Sequence, residues 1–310
     1  MEHGTLKGKR PTHNAQRSAT NGATEAAMSI DSHMHIYDPS RPQGVPWPDR
    51  DDEVLYRMVL PSHCKEASAP HGVTGMVVVE ASEWVEDNQW VLDLAEKDPF
   101  IVGVVGNLEP GNGAFARDVA RLSRNKLFRG IRLRGPVVDK MTDPAVVADL
   151  ALLVGKDLEL DVLVQPRHLP ATAELAERLP YLRIVINHVA GVLIDGSAPD
   201  SAWVEGMTRA AQHPNMFCKV SGLASATRKI PAPTEPGFYV PTLDVLWNEF
   251  GEDRLIYGSD WPVCSRYAGY GNVVQVVAEY FRGKGDAAAE KYFLRNGRAA
   301  YKWLDRSGPA

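Results

Sequence analysis

A chain of 310 residues is long enough for one large domain or two small ones. Apolar residues make up 44% and charged residues 24%, so the chain can bury a sizeable core, and a net charge of −5 argues against nucleic acid or an acidic membrane surface as partner. Cys64, Cys218 and Cys264 are too few and too scattered for a disulfide framework or a structural zinc, which leaves a reducing cytoplasm as the expected setting.

In chain order, residues 1–28 come first. They are rich in Thr, Asn, Gly and Ala, carry Lys7, Lys9, Arg10 and Arg17, and lack the apolar stretch of a secretory signal, so a disordered leader is expected. Eight short apolar runs follow: 29–36, 75–80, 100–106, 129–134, 160–165, 182–188, 216–221 and 254–260. They are rich in Val and Ile and do not alternate strictly, as strands of a parallel sheet covered on both faces would not. Helical periodicity appears between them, at 88–96, 143–155, 171–178 and 240–250. Eight such units, without GxGxxG or GxxxxGK[ST], predict a single (β/α)8 TIM barrel over residues 29–305, with 306–310 as a tail. Two proline-rich connections, Pro39–Pro48 with Trp47 and Thr227–Val240 with Phe238, follow strand ends on the face where barrel sites lie and are expected to wall a pocket.

The sharpest local signal is Asp31-Ser32-His33-Met34-His35. Residues two apart on a strand share a face, so His33 and His35 project together and could share a divalent metal, with Zn2+ the first candidate. Gln165, His188 and Asp260 close the fifth, sixth and eighth runs. The strand ends of a barrel converge, which brings these distant residues together and turns Asp260 from a plain helix cap into a candidate base and metal ligand.

With these residues on the page, the chain resembles the amidohydrolase superfamily, and within it the lactonase-like group that includes sugar-acid lactonases, muconolactone-type hydrolases and pyrone-dicarboxylate lactonase. The resemblance runs from about Ser29 to about Trp303. It rests on the paired histidines, on Ile186-Asn187-His188-Val189-Ala190-Gly191 and on Tyr257-Gly258-Ser259-Asp260-Trp261-Pro262, with Phe128-Arg129-Gly130-Ile131-Arg132 and Gln165-Pro166-Arg167-His168-Leu169-Pro170 in support. It implies that Asp260 takes a proton from the attacking water and that His188 polarises the substrate carbonyl or joins a metal shell. Gln165 stands where many members carry a histidine, and Arg132 and Arg134 stand where binuclear members carry a bridging Lys or Glu. One metal held by His33, His35, Asp260 and His188 is therefore expected, with a metal-free site as the rival.

Arg132 and Arg134 share one face of the fourth strand, and Arg167, Lys219 and Arg266 sit at or past other strand ends. Together with Gln165 and Trp261 they form the expected substrate-binding set, and this many cations on one rim predict an anionic lactone. A metal-dependent decarboxylase of an aromatic or unsaturated acid is the second reading. A silent barrel acting as a binding module is the third, and four convergent polar groups weigh against it. A homo-oligomer is compatible with the sequence.

Overall fold

A computed structural model describes residues 29–306, together with Met1 and Gly4. The expected leader and most of the expected tail lie outside the described residues. Every predicted strand run yields a strand: β1 (Ser29–Met34), β2 (Val73–Val79), β3 (Ile101–Gly106), β4 (Phe128–Leu133), β5 (Glu159–Val162), β6 (Ile184–Ile186), β7 (Met216–Val220) and β8 (Leu255–Tyr257). They pair in parallel in sequence order, β1 beside β2 through to β7 beside β8. Met34 pairs with Trp261, so the sheet curls round to bring its two ends together. The chain is a single-domain (β/α)8 barrel.

Side-chain direction alternates along each strand, and the alternation separates two apolar layers. Met76 and Val78 of β2, Leu160 and Val162 of β5, and Ile184 and Ile186 of β6 face outward, packing with helix residues such as Leu92, Leu150, Leu175 and Leu246. Val77, Val79, Val185, Phe217 and Ile256 face the barrel interior, where Tyr301 and Trp303 join them from the C-terminal segment. Burial on both faces is why the strands carry Val and Ile almost continuously. The helices begin and end close to the predicted bounds: Asp87–Lys97, Pro144–Val154, Leu169–Arg178 and Val240–Phe250. The helix Ser201–Ala211 starts on a side-chain cap, with Asp200 Oδ1 accepting from the backbone N–H groups of Ala202 and Trp203 at 2.9 and 3.3 Å.

The seam between β1 and β8 is held by a buried carboxylate. Asp31 Oδ1 accepts from the backbone N–H of His33 and from that of Ser259, each at 3.0 Å, while Oδ2 accepts from the Tyr270 hydroxyl at 2.9 Å. Two backbone bonds run alongside: Asp260 N–H to the His33 carbonyl and His35 N–H to the Trp261 carbonyl, both 2.9 Å. First and last strands are thereby fixed at the level of the paired histidines. Replacing Asp31 with Ala would leave three buried donors without an acceptor, each costing about 1–3 kcal/mol. Asp31→Ala should lower the unfolding free energy by at least about 2 kcal/mol, read from the denaturant midpoint. An unchanged midpoint would show that the backbone bonds close the seam unaided.

Candidate active site

The predicted site residues arrive at one place by different local means. His33 sits on β1 and His35 follows it, with ring centroids 5.0 Å apart. β6 stops two residues short of His188 and β8 three short of Asp260, although the sequence runs carry the strands to those residues, because the backbone leaves the extended region there. His188, Val189 and Ala190 have φ of 49°, 48° and 57°, and Asp260 has φ of 63°. Left-handed backbone costs a non-glycine residue on the order of 1 kcal/mol or more, most of all a β-branched one such as Val189. The surroundings impose it: Trp203 Nε1 donates to the Val189 carbonyl at 2.9 Å, and the Asp260 carbonyl accepts from Cys264 N–H at 2.9 Å. Two glycines make room. A Cβ on Gly222, itself at φ +64°, would lie 2.8 Å from His188 Nδ1, and one on Gly258 would lie 2.8 Å from His33 Cβ.

Three imidazoles then point Nε2 at a single carboxylate oxygen. Asp260 Oδ1 lies 3.4 Å from His35, 3.7 Å from His33 and 3.8 Å from His188. Each ring is gripped by its other nitrogen. His35 Nδ1 donates to the Val79 carbonyl at 3.0 Å, His188 Nδ1 meets the Ser221 hydroxyl at 2.9 Å, and His33 Nδ1 meets Lys219 Nζ at 3.1 Å. Burial holds the His188 imidazole down at about 4 despite the opposing pull of Asp260, and it holds His33 well below its ordinary range with help from the Lys219 charge. For Asp260, burial is the largest single influence and pushes upward. The summed effect of His188, His35 and Arg132 outweighs it, so the carboxyl ends below its usual value and is ionised at neutral pH.

The donor set suits a divalent cation. A backbone carbonyl can only accept, so His35 carries a proton on Nδ1, and in the neutral ring its Nε2 turns a lone pair toward a carboxylate oxygen 3.4 Å away. Two acceptors facing each other in a buried site call for a positive charge between them. Ligand atoms of His33, His188 and Asp260 also lie within 4.8 Å of one another.

The predicted substrate set fares differently. Arg132 is buried near the imidazoles, but its Nε donates to Glu80 Oε1 at 2.6 Å and a further N–H donates to the Glu80 carbonyl at 2.9 Å. Arg134 pairs with the same Oε1 at 2.9 Å. Arg266 pairs with Asp52, and Arg167, whose side chain is 68% exposed, lies 3.9 Å from Asp139. Lys219 is a correction: it is fully buried beneath His33 with Asp161 at 2.9 Å, since its strand position alternates inward, and it does not reach the rim. Gln165 is exposed at the edge of a cleft with Pro166, Asp195 and Arg228. Trp261 is buried, with Arg57 5.6 Å above its ring. The first proline-rich loop does wall the site, since Trp47 stands edge-on to His35 at 5.9 Å.

Sequence reasoning missed Asp31, Glu80, Asp161 and Ser221. Glu80 gave a usable signal, ending an apolar run as Gln165 and Asp260 do. Asp161 sits at an inward position of β5, legible only once the strand's two faces are assigned.

The amidohydrolase family model matches residues 30–303. The chain belongs to the amidohydrolase family. An L-fucono-1,5-lactonase of Burkholderia ambifaria is 37% identical over 247 residues, covering 78% of this chain and 82% of that protein. One of Burkholderia multivorans is 29% identical over 289 residues, covering 88% and 95%. Among solved structures, a Burkholderia multivorans amidohydrolase with bound zinc is 25% identical, with a TM-score of 0.79 over 90% of this chain and all of that one.

If these four residues form a cation site, purified protein titrated with zinc should bind close to one equivalent, and His35→Asn should weaken that binding more than about tenfold. A titration without a saturable site would refute the assignment.

Proposed function

We propose that this amidohydrolase opens the ester bond of a small, uncharged sugar-acid lactone. The observation that carries the reading is the ionised Asp260 carboxylate ringed by three imidazoles at the barrel mouth, in a setting where the surrounding cations already have acidic partners. The two relatives that are L-fucono-1,5-lactonases support the substrate class. An anionic lactone rested on counting five cations, and pairing removes most of that attraction: Arg132 and Arg134 share Glu80, Lys219 holds Asp161, and Arg266 holds Asp52.

Asp260 accepts a proton from water as its oxygen adds to the lactone carbonyl. The tetrahedral intermediate collapses, the ring C–O bond breaks, and the proton passes from Asp260 to the leaving alkoxide, giving a hydroxy acid. His188, neutral and 17% exposed at its side chain, faces the same space and is placed to orient the carbonyl. A divalent cation would be held by His33, His35, His188 and Asp260, where it would supply Lewis acidity to the carbonyl and lower the pKa of water. Trp47 stands edge-on to His35 and borders the space.

A panel of lactones assayed by acid release tests the substrate class. The best neutral sugar lactone, L-fucono-1,5-lactone among the candidates, should exceed any carboxylate-bearing lactone at least about tenfold in kcat/KM, the worth of roughly one charge-assisted contact. The reverse order would return the role of anion reader to Arg132 and Arg134.

Asp260→Asn keeps the shape but cannot take a proton. It should fold normally and lose about 100-fold to 10,000-fold in kcat. Near-native turnover would move the base elsewhere, with His188 first in line.

The acid limb of kcat/KM should follow the depressed groups. His188 remains neutral until pH falls to about 4, and Asp260 stays ionised over the same range, so the rate should hold through pH 6 and fall only toward 4. A limb centred near about 6.5, the value of an unperturbed histidine, would show that a differently placed histidine governs the step.

A further inference from the structure

A site for a neutral sugar lactone has to meet hydroxyl groups, which donate as readily as they accept. An acceptor lacking a donor is as informative there as a free cation. Glu80 carries one. It follows β2, its backbone N–H donates to the Val105 carbonyl at 2.8 Å, and its own carbonyl accepts from Arg132 at 2.9 Å. Oε1 takes the Arg132 Nε–H at 2.6 Å and has Arg134 Nε 2.9 Å away. Oε2 is the atom left over. The residue is 6% exposed, and Oε2 is buried with no hydrogen-bond partner among the described residues. Leaving a buried acceptor without a donor is costly, so native structures keep few of them.

The placement of Glu80 ties it to the ligand cluster. Val79, the residue before it, supplies the carbonyl that grips His35 Nδ1 at 3.0 Å. Arg132, which Glu80 clamps, is close enough for its charge to act on His188 and Asp260. Glu80 also lines a cavity of about 20 Å³ with Ile36, Tyr37, Val45, Ala81 and Ser82. Ile36 and Tyr37 follow His35 along the chain, and the Trp47 ring stands 5.9 Å from His35 and 5.3 Å from Tyr37. Such a volume takes one water-sized group, which is the size of a single hydroxyl. Ile36, Val45 and Ala81 give it apolar walls that suit the C–H edge of a sugar ring.

We propose that Glu80 is a specificity-determining residue whose Oε2 accepts a hydrogen bond from one ring hydroxyl of the lactone at this cavity, while Arg132 and Arg134 hold the carboxylate still. The inference rests on the sugar-lactone reading above and adds the acceptor that selects among such lactones. A lactone without that hydroxyl leaves Oε2 buried and unpaired. Fluorine in its place is worse, because it is of similar size, cannot donate, and turns a second acceptor toward the carboxylate.

The test compares L-fucono-1,5-lactone with its single deoxyfluoro analogues at C2, C3 and C4, by acid release. Each rate is taken relative to the compound's own opening by hydroxide, which removes the electronic effect of fluorine. One position should lose about tenfold to a hundredfold in kcat/KM, the worth of a hydrogen bond to a charged group. In Glu80→Gln the side-chain oxygen stays with the arginines and the amide N–H group replaces Oε2, so that loss should shrink to less than about threefold. A panel in which no position loses more than about threefold would overturn the proposal, as would an undiminished loss in folded Glu80→Gln. If that variant fails to fold, a crystal structure of the native protein with the matching 1,5-lactam, whose N–H replaces the ring oxygen, decides. A ligand hydroxyl within hydrogen-bond distance of Oε2 is expected there, and a complex without that contact overturns the proposal. Failure to open any neutral sugar lactone would sink the sugar-lactone reading and this inference with it, an outcome distinct from a flat panel.

Discussion

A barrel of eight parallel strands has one seam that no local connection can make, and here Asp31 makes it. One carboxylate draws together the backbone of β1 at His33, the backbone beyond β8 at Ser259 and the hydroxyl of Tyr270. The site depends on that seam more directly than the rest of the fold does, because His33, His35 and Asp260 are contributed by its two sides. A shift of one residue between β1 and β8 would turn the histidine pair away from the carboxylate while leaving the other seven strand pairings intact.

Charges inside this barrel are arranged by pairing. Lys219 answers Asp161, and Arg132 and Arg134 answer Glu80, while Asp260 faces the Nε2 atoms of three rings. A buried ion pair contributes little net stability compared with an apolar pair of the same volume, but removing one member is expensive. These pairs thus fix geometry: Glu80, just past β2, is tied to β4, and β5 is tied to β7, whose Lys219 reaches His33 on β1. The left-handed backbone at His188 and Asp260 belongs to the same arrangement, since a side chain leaving an extended strand would not turn inward across the mouth.

The barrel, its eight runs and the four central residues were legible because they follow from periodicity and from convergence of strand ends. Val-rich runs bounded by helical segments leave few other folds, and polar residues closing such runs stand out. The substrate cations were legible as residue types but not as environments. Whether Arg132 is free or clamped depends on Glu80, 52 positions earlier, and nothing along the chain marks that meeting. Lys219 was misplaced for a related reason. On a strand of five residues the choice between inward and outward is one step of alternation, and an ammonium facing inward becomes reasonable only once Asp161 and Tyr301 are known to meet it.

The contact between Tyr301 and Asp161 spans 140 positions, and that between Ser259 and Asp31 spans 228. A ribosome delivers these partners at opposite ends of its work. The early strands can pair as they emerge, but His33 Nδ1 lacks its partner until Lys219 reaches it, Asp161 lacks its second donor until Tyr301 appears, and Asp260, which faces all three imidazoles, comes late as well. Such non-local closure makes assembly slow relative to local folding.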